Sequence, residues 1–239
     1  MGVALQLERI LRSQGFGSRP VCRDLVLSGR VAINGKPCDD PLVDLEPKGL
    51  AFSVDDVAWV YREFCYVMLN KPSQYECSHK PDFYPSIYSL FPRLLITRGV
   101  QAVGRLDADT TGLLLLSDDG QFIHTFTSPK KNIAKIYEIT TRHSITSEQV
   151  ETLLAGVTLH DDPKAVRATV CDIIDEKTLK MTITEGKYHL VKRMVAAAGN
   201  RVEALHRSEI GGLSLPGELA GGQWRWLDER ELRQLGWEM

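Results

Sequence analysis

Apolar residues recur at two different periods along this chain, and the change of period divides it. In the first thirty residues the spacing is helical: Leu7, Ile10 and Leu11 share one face, and beyond the Gly15/Gly17 pair Val21, Leu25 and Val26 share another. Ser18 stands where it can cap the second helix, and Gly29 lies just past its end. The stretch "RVAINGKPC" then turns at Asn34-Gly35, a dipeptide that favours a two-residue hairpin loop. Two short helices and a small hairpin predict a compact unit over residues 1–58.

From Phe64 onward the apolar residues alternate in short β-branched runs. "FCYVMLNKP", "GLLLLSD", "KIYEITT", "VRATVCDII", "KTLKMTIT" and "RVEALHR" are predicted strands. Helices interrupt them. Thr146 and Gln149 fit a capping box ahead of Val150, Leu153, Leu154 and Val157, and "EGKYHLVKRMVAAAG" reads as a helix with Val191, Met194, Val195 and Ala198 facing inward. The expected fold class for residues 60–239 is α+β, with a mixed, largely antiparallel sheet flanked by helices.

Composition narrows the class. With 43% hydrophobic and 25% charged residues in 239, a sizeable core is available. The longest apolar run, the four leucines at 113–116, is far below the ~18 residues of a membrane span, and no signal-like segment opens the chain. A soluble, cytoplasmic protein is expected, with no membrane partner. Five cysteines (22, 38, 65, 77 and 171) without a C-x-x-C, and six histidines without H-E-x-x-H, support neither a disulfide framework nor a metal centre. The net charge of −2 conceals an asymmetry: residues 1–35 carry Arg9, Arg12, Arg19, Arg23 and Arg30 against only Glu8 and Asp24. Acidic residues follow at 39, 40, 44, 46, 55 and 56, so the unit is suited to orienting a polyanion more than to dominating its binding.

The densest chemistry lies in "VGRLDADTTGLLLLSDDG", residues 103–120, where Asp107 and Asp109 stand two apart beside Arg105. Read as D-x-D-x-T, the loop suggests a phosphatase, but that chemistry needs the carboxylates at the end of a buried strand, and here the apolar strand follows the loop. Read as a glycosidase pair, the two carboxylates lie on one edge of any pocket and do not flank a glycosidic bond. The third reading needs one carboxylate only. For Asp109 and Thr110 the preferred reading is hydrogen bonding within the loop backbone, and for His189 packing or a backbone contact.

The block G-R-L-D-x-D-T-x-G-L-L-L-L-S-x-D-G resembles the active-site signature of the pseudouridine synthases, in the branch containing the bacterial small-subunit ribosomal enzyme. "MLNKP" at 68–72, "KIYEI" at 135–139 and "EGKYHLVKRM" at 185–194 match in the same order. The N-terminal helices and hairpin resemble the small RNA-binding domain named after a protein of the small ribosomal subunit. Together these cover nearly the whole chain.

The resemblance implies that Asp107 is the catalytic aspartate, acting at C1′ of a flipped-out uridine or assisting glycal formation while the base detaches, rotates and rejoins through C5. It places Tyr137 against the base and Lys192 as the cation that keeps Asp107 ionised. Arg105 would hold the vacated position in the RNA or bind phosphate. Lys71 and the arginines at 9, 12, 19, 23 and 30 are the expected RNA contacts. The reaction is an isomerisation, so no metal or other cofactor is implied; the implied partner is ribosomal RNA, 16S RNA in an assembly intermediate, acted on by a monomer. The competing readings are a large-subunit enzyme and a noncatalytic RNA-binding assembly factor. Three positions depart from the family pattern: Leu190 replaces a usual Gln, Lys187 a usual Arg, and Gln74 a commoner Gly.

Overall fold

In the computed structural model, which describes residues 3–160 and 162–238, the chain divides into two compact units. One comprises Met1–Cys65 with Phe91–Gln101, the other Tyr66–Leu90 with Ala102–Met239.

The first unit opens with β1 (Leu5–Gln6), α1 (Leu7–Ser13) and α2 (Arg19–Leu27). Leu7, Ile10 and Leu11 are fully buried as their spacing requires, and they pack with Cys22, Leu25 and Val26 of α2. Val21 does not join them: it is 49% exposed, and Cys22 takes the inward position. Ser18 precedes α2 with extended backbone but its side chain makes no capping bond. A hairpin of β2 (Val31–Ile33) and β3 (Lys36–Pro37) turns at Asn34 and Gly35, both at positive φ as a type I′ turn demands. β4 (Asp44–Leu45) pairs with β1, while β5 (Ala51–Val54) and β6 (Val57–Val60) extend the hairpin to a four-stranded sheet ordered β3-β2-β5-β6. The unit also takes in α3 (Arg93–Thr97). Gly15, at φ +90, lets the α1 end approach the Leu94 carbonyl so closely that a Cβ would sit 2.2 Å from its oxygen. Arg98 ties the same segment down by donating to Gln14 Oε1 and the carbonyls of Arg62 and Glu63.

The second unit is built on a nine-stranded sheet. Its strands are β7 (Tyr66–Lys71), β8 (Gln101–Val103), β9 (Thr111–Ser117), β10 (Lys135–Thr141), β13 (Val170–Asp175), β14 (Thr178–Ile183), β15 (Val202–Ile210), β16 (Leu213–Ser214) and β17 (Trp224–Trp226). The main order is β13-β14-β10-β15-β9-β7-β17, with β16 on β15 and β8 on β9. Every ladder with a recorded register in this sheet is antiparallel except β9 with β15, so it is mixed and largely antiparallel, as expected. The four leucines of β9 are all fully buried because β9 is central and covered on both faces.

Helices flank this sheet: α4 (Gly120–Thr127), α5 (Ser147–Ala155), α6 (Leu190–Ala197) and α7 (Glu229–Gln234), with a small hairpin of β11 (Val157–Leu159) and β12 (Asp162–Val166). Both bonds of the Thr146/Gln149 capping box form at α5. Two predicted extents change. α5 stops before Gly156, so Val157 is a strand residue and Leu154 is 38% exposed. The predicted helix from Glu185 begins only at Leu190, because His189 adopts the left-handed conformation and residues 185–189 form a loop. No helix among the described residues is long and apolar enough to cross a membrane.

Candidate active site

The loop between β8 and β9 is fastened from below. Lys71, last residue of β7, is fully buried and its ammonium donates to the carbonyls of Pro72, Ala108 and Thr110 at 2.9–3.0 Å. This overturns its expected role as an RNA contact: with no exposed surface and its donors turned onto loop carbonyls, Lys71 cannot reach a phosphate. Gln74 adds a second fastening, its N–H donating to Ala108 at 2.7 Å. Its φ of +63 accounts for the family's glycine there, and Gln74 keeps that backbone shape without one.

Gly112 sets the other end of the loop. At φ +104 it lies opposite Arg207 in the parallel pair, and a Cβ would come within 2.3 Å of the Arg207 carbonyl oxygen. Only glycine lets β9 run this close to β15.

Held in this way, the loop meets the N-terminal end of α6. Lys192 Nζ lies 3.0 Å from Asp107 Oδ2 and donates to both Asp109 oxygens at 2.6 and 2.9 Å. On its other side Asp107 Oδ1 is 3.3 Å from His189 Nε2. The left-handed backbone of His189 places its ring there, stacked on Tyr188 with centroids 3.7 Å apart. Two readings are extended as a result. The Asp109 carboxylate, besides a bond to its own loop backbone, is a bidentate partner of Lys192, and His189, besides packing on Tyr188, faces the Asp107 carboxylate. Thr110 does bond the loop through its N–H to the Asp107 carbonyl, but its hydroxyl has no partner.

The charges reinforce one another. Burial pushes the Asp109 carboxyl up, but the bonded Lys192 ammonium more than reverses this, leaving its pKa below the usual range. For Lys192, burial disfavours the ammonium and the two carboxylates outweigh it, so its pKa is raised. One cation therefore stays charged between two carboxylates, and each oxygen of Asp107 is engaged.

Asp107 lines a cavity of about 700 Å³, within the ~300–1,000 Å³ typical of small-molecule sites. Tyr137 lines it too. In β10 it pairs with Arg207 of β15, whose Nη1 lies 3.5 Å from the phenol oxygen and whose Nε donates to the Leu113 carbonyl. Arg207 is 3% exposed, and its Nη2 and Thr110 Oγ1 are the buried side-chain polar atoms without a partner among the described residues. Buried polar atoms of this kind are costly unless water or a ligand satisfies them. Lys135 also lines the cavity; burial, aided by the Arg207 charge, lowers its pKa to about 8. Arg105 is exposed on the cavity wall.

Arg207 was not singled out from the sequence, although a signal existed. It continues the parity of buried Leu205 in β15, and a charged residue on an inward parity is a functional candidate.

The N-terminal arginines divide into two groups. Arg9 and Arg12 are exposed on α1. Arg19 and Arg23 are also exposed but point their Nε atoms at the fully buried Glu8, at 2.6 and 2.9 Å, and Arg30 is paired with Asp55 at 2.6 Å. Burial raises the Glu8 carboxyl's pKa, and the two guanidiniums more than reverse that shift.

A carboxylate held by a cation at the wall of a cavity that a buried tyrosine and guanidinium also line defines an enzyme site suited to attack on an electrophilic carbon. Residues 65–197 match the family model of RNA pseudouridylate synthase, and residues 7–47 match the S4 domain. The chain belongs to the RNA pseudouridylate synthase family. It is 34% identical over 229 residues, 95% of its length and 98% of the relative's, to Ribosomal small subunit pseudouridine synthase A of Escherichia coli (strain K12). It is 41% identical over 167 residues, 70% of its length and 72% of the relative's, to the protein of the same name in Pasteurella multocida (strain Pm70). A crystal structure of pseudouridylate synthase matches with a TM-score of 0.68 and 34% identity, covering 97% of this chain and 99% of that one.

Proposed function

We propose that this protein isomerises a uridine of small-subunit ribosomal RNA, 16S RNA in bacteria, to pseudouridine, with Asp107 acting at C1′. The observation that carries the reading is the Asp107 carboxylate, paired with Lys192 at 3.0 Å and lining a cavity shared with Tyr137. The N1–C1′ bond breaks, the base turns, and a C5–C1′ bond forms; the C5 proton leaves and N1 gains one. The target nucleotide must leave its stack to enter the cavity, which costs a few kcal/mol that contacts to the flipped base offset. Tyr137 packs on the base, Lys192 and His189 orient the carboxylate, and Arg207 with its open donor faces the pocket's polar cargo. The relatives named as small-subunit enzymes support 16S RNA over a large-subunit substrate.

In this reading residues 1–58 orient structured RNA through Arg9 and Arg12, with Arg19, Arg23 and Arg30 as weaker contributors because acidic partners hold them, and residues 60–239 carry the reaction. Arg105 contacts the RNA beside the flipped nucleotide. The substrate is an assembly intermediate, met in the cytoplasm by a monomer.

The test is release of tritium from C5-labelled uridine in 16S transcripts, beside filter binding. Asp107→Asn should abolish release while leaving RNA affinity within a few fold, because the reacting carboxylate is lost and the RNA surface is not. Appreciable turnover by the variant would falsify the assignment.

A further inference from the structure

The most exposed aromatic side chain of the protein stands on a loop that borders the cavity, and nothing in the reaction described so far uses it. Phe83 is 91% exposed and makes no ring contact among the described residues. A bare phenyl ring on a slack loop would be unremarkable, since single exposed apolar residues are common. This loop is not slack. The Glu76 carboxylate accepts the N–H groups of Asp82, Phe83 and Tyr84 at 2.8–2.9 Å, so three successive residues are fixed by one side chain. Glu76 also exchanges backbone bonds with Pro85 and Ile87 at 2.9 Å, and the Ser78 hydroxyl closes a small turn by bonding both the N–H and the carbonyl of Lys80. The His79 ring lies flat on Tyr88, centroids 3.6 Å apart and planes 6° apart, and Tyr88 is buried. Glu76, Cys77, Ser78 and Asp82 line the same cavity as Asp107. The result is a braced scaffold at the cavity's border that presents one unpartnered aromatic face to solvent.

Nothing in the fold needs that ring, since it buries almost no area. Its chemistry suits a flat apolar partner that arrives with the substrate. If the substrate is RNA, as proposed above, the groups next to the flipped nucleotide are unpaired or newly unstacked bases, and every base offers a π-face to an aromatic side chain. Tyr188, 72% exposed at the same cavity, is less free for this because one face of it already carries the His189 ring. We propose that Phe83 is a stacking platform for a nucleobase flanking the target uridine, replacing a stack that flipping breaks. This inference rests on the reading of the protein as an RNA uridine isomerase.

Preorganisation is what the Glu76 brace contributes. Ordering a loop on binding opposes affinity, and a loop already fixed by three backbone bonds escapes that loss. Stacking on a single aromatic ring corresponds to roughly 5- to 140-fold in affinity.

The experiment uses the full-length protein and short 16S-derived transcripts in which each nucleotide flanking the target is replaced in turn by an abasic unit. Wild type, Phe83→Ala and Phe83→Trp are compared by binding and by single-turnover tritium release. Release by wild type on the intact transcript is the control for the reaction itself; its absence would fail the underlying reading and leave no substrate on which to place Phe83. With release established, Phe83→Ala should weaken binding about ten-fold or more on the intact transcript, and Phe83→Trp should restore it. At one flanking position the abasic transcript should weaken wild type by a similar factor and Phe83→Ala not at all, a non-additivity that a merely structural role cannot produce. Because the ring is exposed, its truncation should leave the unfolding midpoint unchanged. Binding and release by Phe83→Ala within two-fold of wild type, or full additivity with every abasic position, would overturn the proposal.

Discussion

Lys71 offers the most direct test of how this site is assembled. Replacing it by Met keeps most of the stem's volume and removes three charge-assisted hydrogen bonds to Pro72, Ala108 and Thr110. Such bonds contribute about 1.5–3 kcal/mol each. Burial of the ammonium, only partly offset by the nearby Asp107 and Asp109 charges, pulls the Lys71 pKa from 10.5 to about 8. A shift of that size corresponds to about 3 kcal/mol, at ~1.36 kcal/mol for each pKa unit. Lys71→Met would leave the three loop carbonyls without their donor, and a buried acceptor left unsatisfied costs about 1–3 kcal/mol, so the variant is expected to be less stable at pH 7 by at least that much.

The pH dependence of that gap is the sharper readout. Below pH 8 the folded and unfolded chains both hold the Lys71 proton, so wild type and variant vary in parallel. Between pH 8 and 10.5 the unfolded chain keeps the proton and the folded chain releases it, so wild-type stability rises with pH relative to the variant. Urea unfolding of both proteins across pH 7–10.5 should show the gap widening by about 3 kcal/mol; the other titrating groups, Lys135 included, are common to both and cancel. Turnover of the variant should fall about 100-fold even where it is folded, since a displacement near 1 Å at a reacting group has that effect. A gap that stays constant or narrows above pH 8, or a variant as stable as wild type at pH 7, would refute the account of Lys71 as a buried cation anchoring the loop.

Two further predictions concern charge. Lys192→Met leaves Asp107 and Asp109 without the cation between them, and like charges favour protonation of one, so single-turnover rates should fall most steeply toward pH 5 and recover in part toward pH 9; Lys192→Arg should retain part of the activity, and parallel profiles for wild type and Lys192→Met would exclude the pairing. Replacing both Arg9 and Arg12 with Gln should lower the slope of log binding constant against log salt by roughly 1.4–1.8, at ~0.7–0.9 per phosphate contact, while Arg30→Gln changes it less because Asp55 already neutralises that guanidinium; an equal effect from Arg30 would count against this division.

What was legible in the sequence is what depends on neighbours in the chain. The alternation in "KIYEITT" and the run of four leucines place β10 and β9 correctly, and Asn34-Gly35 fixes its hairpin, because period and turn chemistry are local. The site was half legible. Asp107 and Lys192 do meet, across 85 positions of chain, as the family motif implied. Lys71 misled because a lysine in "NKP" is ordinarily solvated; its burial follows from a loop 37 residues later folding its carbonyls over the strand end. His189 was incompletely legible for a similar reason: it meets Asp107 from a left-handed backbone, a conformation that "KYHLVK" does not announce.

The arrangement of charge also explains how a chain of net charge −2 can act on a polyanion. Of the five arginines in residues 1–58, three are paired with Glu8 or Asp55, so this segment is poorly equipped for indiscriminate phosphate binding. Around Asp107 the charges are also nearly balanced: Arg105, Lys135, Lys187 and Arg207 line the cavity with Glu76, Asp82, Asp107 and Glu185, and Lys192 is shared by Asp107 and Asp109. Nonspecific affinity for RNA scales with the number of phosphates neutralised, and a protein that acts at one nucleotide among very many gains nothing from raising it. Discrimination must come from contacts that form only when the correct nucleotide has left its stack. On the proposed function, the orphaned Arg207 donor and the exposed Phe83 ring are both suited to that task, since each would gain its partner only once a nucleotide has been unstacked at the cavity.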